Sequence, residues 1–263
     1  MDDSIEINDL PDVNLAQIFE KLPWQNRLKI EQVCKKWHYV GKNLSWSNYR
    51  IFDNLKYENW PEAKFKQIKP FFERCGRHLR HLTLRNWPAP TALSFLRMAP
   101  NVHHLRFWHV LLNGECMKEL AQIVPSLKSL DLEVSLRCNE RVTDNNVGLT
   151  ECFETMTCLE YLYIYEASVS FHSYSFVQFP PNLKYLALYS VSNAAQILSW
   201  VARGCKNLRG LRLSCDINVN TLQAISQLKS LTYLALPLKW SPYDVGNVFE
   251  ALTELRALDT THY

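Results

Sequence analysis

The sequence predicts an α/β solenoid, with a curved parallel sheet on its concave side and helices on its convex side, preceded by a small helical module. Three observations predict it: an apolar pattern that recurs along most of the chain, helix-forming stretches between its copies, and a different apolar pattern before the first copy. The recurring pattern is Leu-x-x-Leu-x-Leu with few substitutions, and its eight copies begin at residues 79, 102, 127, 159, 183, 208, 231 and 255. The copies lie 23, 25, 32, 24, 25, 23 and 24 residues apart, a period typical of repeats that stack on one another.

Each copy predicts one short strand. Its last two apolar residues are two positions apart, so both side chains point to one face of an extended segment. Between the copies, apolar spacing and start signals predict helices over 90–99, 113–124, 145–156, 192–203, 219–228 and 241–252, and only an irregular or short helical turn over 168–179. Because a strand, a crossover and a second strand in the same direction build a parallel sheet, the helices form the opposite layer.

The interval between the third and fourth copies is longer than the others. We place its extra residues in a loop at 137–141. Insertions in repeats often contact partners, so a function for this loop and neutral drift both remain open.

Residues 10–46 follow a different pattern, typical of short helices. The residues of the first apolar face are spaced at i, i+3, i+4 and i+7, and they are Leu15, Ile18, Phe19 and Leu22. Pro23 ends this helix. We predict a second helix over about 25–32 and a third that carries Val33, Cys34, Trp37 and Val40.

This segment, LPDVNLAQIFEKLPWQNRLKIEQVCKKWHYV, resembles an F-box. The resemblance rests on the Leu-Pro opening, the Ile-Phe pair, the second Leu-Pro, and Val-Cys-x-x-Trp followed by Trp46. The repeats resemble the leucine-rich repeats of F-box proteins, in particular the cysteine-containing subtype: Cys205-Lys206-Asn207-Leu208 fits its Cys-x-x-Leu start, and residues 142–149 are similar to its turn-to-helix segment. We therefore expect an F-box at 5–50, an atypical first repeat at 51–78 and leucine-rich repeats at 79–263.

The resemblance implies that the F-box binds a Skp-family adaptor, which links it to a cullin and a RING subunit. The positions that match the family's adaptor-binding residues are Leu10, Pro11, Leu15, Ile18, Phe19, Leu22, Val33, Cys34 and Trp37. About 40 residues cannot bury so many apolar side chains alone, so an exposed apolar surface is expected. A second interpretation is a helical cap on the open end of the solenoid, and both roles are compatible.

The junction between the two modules is predicted to be packed and rigid. Residues 46–52 predict an irregular first strand, and Pro61 begins a helix that ends at Gly76. The apolar residues of this helix are Phe65, Ile68, Phe72 and Cys75. No Gly/Ser-rich linker separates the modules.

The residues that flank the last two apolar positions of each copy face the concave side. The first two copies present a basic surface, formed by His81, Thr83, Arg85, His104, Arg106 and Trp108, and the third an acidic one, formed by Ser129, Asp131 and Glu133. The fourth and fifth copies present Tyr161, Tyr163, Tyr165, Tyr185 and Tyr189, which we expect to form one aromatic cluster because neighbouring strands lie about 4.8 Å apart.

Two interpretations of this cluster remain open: a cross-strand ladder that stabilises the sheet, and a patch that binds a protein. Our hypothesis is that Tyr163 and Tyr185 anchor a protein substrate, with Arg106 and Trp108 setting its orientation.

Composition argues against several classes of function. The 29 basic and 26 acidic residues nearly balance, and Asp131 and Glu133 interrupt the only basic stripe apparent in the sequence, so no nucleic-acid partner is expected. Residues 1–9 lack the features of a secretion signal and no apolar run reaches spanning length, which favours a cytoplasmic or nuclear protein without a membrane partner.

The sequence also predicts no metal and no cofactor. The eight cysteines are scattered without C-x-x-C spacing and are expected to be reduced, packed thiols. There is no glycine-rich phosphate loop, no H-E-x-x-H and no G-x-S-x-G, so we expect a non-catalytic protein. A Cys-His pair that is distant in sequence stays open.

Taken with the resemblance, these patterns imply a substrate-recognition subunit of a Skp-cullin-F-box ubiquitin ligase. Such a subunit promotes the ubiquitination and proteasomal degradation of the protein that it binds. The alternative is a scaffold or inhibitor that binds partners without driving degradation.

Overall fold

The computed structural model describes residues 6–54, 61–110, 112, 114–133, 152–165, 178–191, 193–237 and 246–261. The predicted loop at 137–141, the segment 142–149, and the turn at 168–177 lie outside the described residues. So do residues 145–151 and 241–245 of two predicted helices.

Three short helices form the N-terminal module: α1 (Asp12–Phe19), α2 (Trp24–Ile30) and α3 (Lys35–Asn43), after a 3₁₀ turn at Ile7–Asp9. Prolines precede α1 and α2, where their fixed φ favours helix entry. The prediction that the third helix includes Val33 and Cys34 is wrong. Cys34 has extended backbone and its Sγ accepts a hydrogen bond from the Trp37 amide at 3.5 Å, so it caps α3 instead.

The helices of this module enclose a small core of their own. Its buried members are Leu15, Ala16, Phe19 and Val40, with Leu22, Ile30 and Trp37 packed around them. The apolar stripe of α1 therefore faces α3, and the side chains at its centre are removed from solvent.

The junction contains the predicted first strand and helix, but residues 46–48 form a turn and the strand begins only at Ile51. Strand β1 (Ile51–Asp53) pairs with the first repeat strand, and α4 (Glu62–Cys75) begins after Pro61 and ends at Gly76. A 3₁₀ turn follows at Gly76–His78. Gly76 is needed because a Cβ at this position would lie 2.2 Å from the Met98 carbonyl oxygen. Pro70 lies within α4 without ending it.

All nine strands of the sheet run parallel, in the order of the chain. The repeat strands are β2 (His81–Arg85), β3 (His104–Trp108), β4 (Ser129–Glu133), β5 (Tyr161–Tyr165), β6 (Tyr185–Tyr189), β7 (Gly210–Ser214), β8 (Tyr233–Pro237) and β9 (Ala257–Thr261). Equivalent positions of successive repeats pair with each other, as Leu130 with Leu162 and Leu162 with Leu186. The eight predicted strands and the irregular first strand are thus confirmed.

The helical layer is also confirmed within the described residues. It contains α5 (Ala89–Leu96), α6 (Gly114–Ile123), α7 (Ala194–Gly204), α8 (Val219–Ile225) and α9 (Gly246–Ala251), and residues 152–155 are helical as well. Their inward residues join the strand leucines in one continuous buried core. In α7, Ile197, Leu198 and Val201 form the predicted inward stripe and are fully buried.

An ion pair connects the two modules. Arg74 of α4 donates from Nε and Nη2 to the two carboxylate oxygens of Glu31, with nitrogen-to-oxygen distances of 3.0–3.2 Å. The Glu31 side chain is only 6% exposed and Arg74 is 19% exposed. A bidentate pair in this setting fixes the direction of both side chains as well as neutralising their charge.

We predict a strong energetic coupling between Glu31 and Arg74. Arg74→Ala should lower the free energy of unfolding by about 2–4 kcal/mol because it leaves a buried carboxylate unpaired, and Glu31→Ala should cost less because Arg74 reaches solvent. Chemical denaturation of both single variants and the double variant measures the coupling. The pair Lys66–Glu62 on the same helix is almost fully exposed and is the matched control, with no measurable coupling expected. Additive costs at Glu31 and Arg74 would contradict the prediction.

Candidate functional site

The predicted adaptor-binding residues divide into a buried and an exposed group. Leu15 and Phe19 are buried in the small core, and Trp37 is half-buried with its ring centroid 5.0 Å from that of Phe19. In this conformation Leu15 and Phe19 hold α1 against α3, and their role in adaptor binding stays a prediction. Leu10 and Leu22 are half-buried.

The exposed group includes Pro11, Ile18, Val33 and Cys34. Four further apolar residues of the same module are exposed, and they were not predicted from the sequence: Ile7, Val13, Tyr39 and Leu44. The exposure of Val13 and Tyr39 could have been predicted, because both lie off the inward apolar stripes of their helices. Within the described part of the chain, seven of the eleven exposed large hydrophobic side chains lie between residues 7 and 51.

Polar contacts fix the segment that precedes α1. The Lys36 ammonium donates to the carbonyl oxygens of Asn8 and Leu10, both at 2.7 Å. The Trp37 indole N–H donates to Asn8 Oδ1 at 2.9 Å. The Leu10-Pro11 step is therefore held against α3, beside the exposed residues of that end of the module.

The concave tyrosines form the contiguous cluster that the strand spacing predicts. Tyr165 and Tyr189 are stacked, with ring centroids 4.3 Å apart and planes at 1°. Tyr185 lies 5.5 Å from Tyr163 and 6.5 Å from Tyr161. Aromatic pairs at these distances stabilise the sheet and also present a large, stiff surface.

The cluster continues in both directions along the sheet. Trp108 stacks over Tyr165 at 6.4 Å, so the predicted orienting residue adjoins the tyrosines. On the other side, the Tyr233 ring lies 6.3 Å from Tyr185, and its hydroxyl donates to Asp259 at 3.2 Å. Tyr233 was missed, although it occupies the same position in the seventh copy as Tyr185 in the fifth.

Gly210 makes room for the ring of Tyr185. It lies between Tyr185 and Tyr233 in the register of the sheet. A Cβ at position 210 would lie 2.5 Å from Tyr185 Cδ2, so any larger residue would displace the ring. The small residue on β7 thus lets tyrosines from β6 and β8 approach each other.

Within the described residues, the basic and acidic surfaces predicted on the first three strands meet in an ion pair. Arg106 and Asp131 form an ion pair across β3 and β4, and Asp131 is buried, with 7% of its surface exposed. Burial raises the pKa of Asp131 although Arg106 opposes this. Burial tends to lower the pKa of Arg106, but the neighbouring Asp131 carboxylate raises it on balance. The side chain of Glu133 lies outside the described residues.

Burial also disfavours ionisation of three of the tyrosine hydroxyls. It raises the pKa of Tyr185 to about 12, and it raises the pKa values of Tyr163 and Tyr165 as well. At neutral pH the cluster therefore offers hydroxyl donors and aromatic area without charge.

Residues 7–51 match the family model described as F-box-like. This segment is an F-box-like domain. A search of curated proteins finds no match to the chain.

Among solved structures, 55 chains match. In the crystal structure of a TLR13-ssRNA13 complex, the similarity covers 76% of this chain and 31% of that chain, at 19% identity and a TM-score of 0.44. The leucine-rich repeat-containing protein LegL7 from Legionella pneumophila is 12% identical over 97% of this chain and 81% of that chain, with a TM-score of 0.45. The C-terminal domain of tropomodulin from Caenorhabditis elegans is 13% identical over 72% of this chain and 92% of that chain, with a TM-score of 0.27.

The sheet itself shows the repeat architecture that follows the F-box-like domain. Within the described residues, nine parallel strands in chain order, with helices packed on one side of the sheet, form a leucine-rich-repeat solenoid. The chain thus joins an F-box-like domain to leucine-rich repeats, an architecture typical of non-catalytic proteins that mediate protein interactions.

The described cysteines are free thiols. Burial raises the pKa of Cys152 and Cys205 to about 12 and that of Cys215 to about 11, which disfavours the thiolate. Among the residues that the structure describes, no three His, Cys, Asp or Glu residues lie close enough to hold a metal ion. No helix in the same part of the chain is long and apolar enough to span a membrane.

Proposed function

We propose that this chain is a substrate-recognition subunit of a Skp-cullin-F-box ubiquitin ligase. In this proposal the F-box-like domain binds a Skp-family adaptor and, through it, the cullin and RING subunits. The concave face of the repeats binds a protein substrate, which is then ubiquitinated and degraded by the proteasome. The chain acts in the cytoplasm, the nucleus or both, and contributes no catalytic residue.

The exposed apolar surface of the F-box-like domain carries this proposal. Val33 is 60% exposed and is accompanied by exposed Val13, Ile18 and Tyr39. Burying apolar surface contributes about 25 cal/mol per Å², so side chains left in water at this density favour association with a partner. The match of residues 7–51 to the F-box-like model supports a Skp-family adaptor as that partner.

The concave face supports the second half of the proposal. Its aromatic cluster runs from Trp108 through the tyrosines of β5 and β6 to Tyr233. Aromatic residues are enriched at the centres of protein interfaces because they add large contact area at a small cost in side-chain entropy. In this proposal the packed junction holds the concave face at a fixed distance and orientation from the adaptor.

A scaffold or inhibitor with the same two surfaces is the alternative, and it differs in the fate of the bound protein. A receptor shortens the lifetime of its substrate, and loss of adaptor binding lengthens it. A scaffold leaves the lifetime of its partner unchanged in both cases.

We predict that Val33→Glu abolishes adaptor binding. A charge placed among apolar side chains stays unpaired when the surface is covered, which should weaken affinity for a purified Skp-family adaptor by at least about tenfold in calorimetric titration. Val219→Glu is the matched control, because Val219 is 65% exposed and lies on α8 of the repeats. Equal adaptor affinity of Val33→Glu and wild type, or failure of wild type to bind the adaptor, would overturn the proposal.

We predict that Tyr163→Ala/Tyr185→Ala releases the substrate while the adaptor stays bound. The experiment compares proteins that co-purify with Val33→Glu, in which substrates accumulate, with those that co-purify when the two tyrosine changes are added. Proteins lost through the tyrosine changes should have longer lifetimes in cells that express Val33→Glu. An unchanged set of co-purified proteins, from a variant whose unfolding transition shows that it is folded, would refute the role of the cluster.

A further inference from the structure

A row of basic residues runs along one edge of the solenoid, immediately before the strands. In each repeat it is the residue after the first leucine of the pattern, and in the junction it is Arg50. The basic members are Arg50, Arg80, His103, Lys128, Lys184, Arg209 and Arg256. We call these residues the basic row; Glu160 and Thr232 are its two other positions.

Backbone hydrogen bonds place these residues side by side. The amide of each member donates to the carbonyl oxygen of the member before it, from Arg80 to Arg50 at 2.8 Å up to Arg256 to Thr232 at 2.9 Å. Neighbouring members are therefore one strand spacing apart, about 4.8 Å. Across nine strands the row extends for about 38 Å.

Most of the positive charge on the row is not neutralised within the described residues. Lys128 and Arg256 are exposed and form no ion pair there, and Arg80 donates to the carbonyl oxygens of Leu79 and Asn101 rather than to a carboxylate. Two carboxylates adjoin the row in the described part of the chain. Glu160 pairs with Lys184 at 3.0 Å and Glu254 pairs with Arg209.

The pKa of His103, the histidine of the row, is lowered. Burial lowers the pKa of His103, and the charges of Arg80 and Lys128 lower it further. The pKa of His78, which is next to the row, is also lowered, first by burial and then by the charges of Arg77, Arg50 and Arg80. Cations from neighbouring positions of the row thus lower the pKa of each of these two histidines.

A groove of about 530 Å³ opens along the middle of the row. Lys128, Lys184 and Arg209 line it together with Glu160, Thr157 and Asn182. The Asn182 side-chain amide donates to the Thr157 carbonyl oxygen at 2.8 Å. The groove combines cations, one carboxylate and amide groups, and it adjoins Tyr161 and Tyr185, the next residues in the chain after Glu160 and Lys184.

We propose that the basic row binds an acidic segment of a protein partner, which lies along the groove with one carboxylate on Lys128 and with others that replace Glu160 on Lys184 and Glu254 on Arg209. The proposal rests on the proposed function, because the partner segment would belong to the substrate that the tyrosine cluster holds. Charge complementarity favours an acidic occupant. Glu160 in the centre of the path disfavours a uniform polyanion such as a nucleic acid, whereas a polypeptide brings amide donors for that carboxylate and spaced acidic side chains for the cations.

The test uses a fluorescein-labelled peptide that alternates Glu and Ala over about twelve residues, long enough to follow the row when extended. Fluorescence anisotropy measures its affinity for the full chain. Lys128→Glu/Lys184→Glu should weaken binding by about tenfold or more, since each reversal removes an attraction and adds a repulsion. The same variant should bind the corresponding Lys/Ala peptide more tightly than wild type does.

The matched control is Lys64→Glu/Lys69→Glu, which changes the net charge equally at two exposed positions of α4. It should bind the acidic peptide with less than about a twofold change, because these charges are far from the row on a screened surface. If the peptide were held only by general electrostatic attraction, both variants would lose affinity for it equally, and this result would overturn the proposal.

Further outcomes separate this proposal from the others. Tighter binding of a single-stranded RNA of equal length than of the acidic peptide would identify a nucleic-acid site and would overturn it, as would no binding of the peptide to wild type. Lys128→Glu/Lys184→Glu should bind the Skp-family adaptor normally, and Val33→Glu should bind the acidic peptide normally. If the acidic peptide fails to bind while the adaptor still binds, the proposal for the basic row is refuted and the proposed function is not.

Discussion

The buried guanidinium of Arg27 is the interaction on which the arrangement of the two modules depends. It donates to the carbonyl oxygens of Leu22, Glu20 and Ser45, and it lies 4.6 Å from the centre of the Tyr49 ring. Burial lowers its pKa, and backbone oxygens together with an aromatic face take the place of a carboxylate partner. One side chain thus ties the end of α1, the start of α2 and the segment after α3 together.

This arrangement orients an aromatic surface toward the repeats. Tyr49 and Trp46 both contact Phe71 of α4 edge-on, at 5.2 and 5.8 Å, and Trp24 lies 5.2 Å from the same ring. The core of the solenoid therefore extends into the F-box-like domain, beside the Glu31–Arg74 ion pair. Some apolar residues of the domain build these contacts, others form its own small core, and others stay exposed. Capping of the solenoid and adaptor binding are compatible because they use different residues.

The strands and the helical layer could be predicted because strand positions two apart recur in eight copies and helix positions three or four apart recur in six of the intervening stretches. The burial of Leu15 and Phe19 could not be predicted, because a motif identifies positions without showing which side of a helix faces its neighbours. The Arg106–Asp131 pair was missed because its partners are 25 residues apart. The basic row was missed for the same reason: its members lie 23–32 residues apart, and only the register of the sheet aligns them.

The account requires the F-box-like domain and the repeats to move as one body. The most direct measurement is the distance distribution between two spin-labelled amino acids at the exposed positions Gln17 and Gln227, obtained by pulsed electron paramagnetic resonance. The account predicts one narrow distribution for the wild-type chain, which Arg27→Met broadens and which Arg97→Met, a change to an exposed ion pair within the repeats, leaves unchanged. A broad distribution in the wild-type chain, or a narrow one after Arg27→Met, would contradict it.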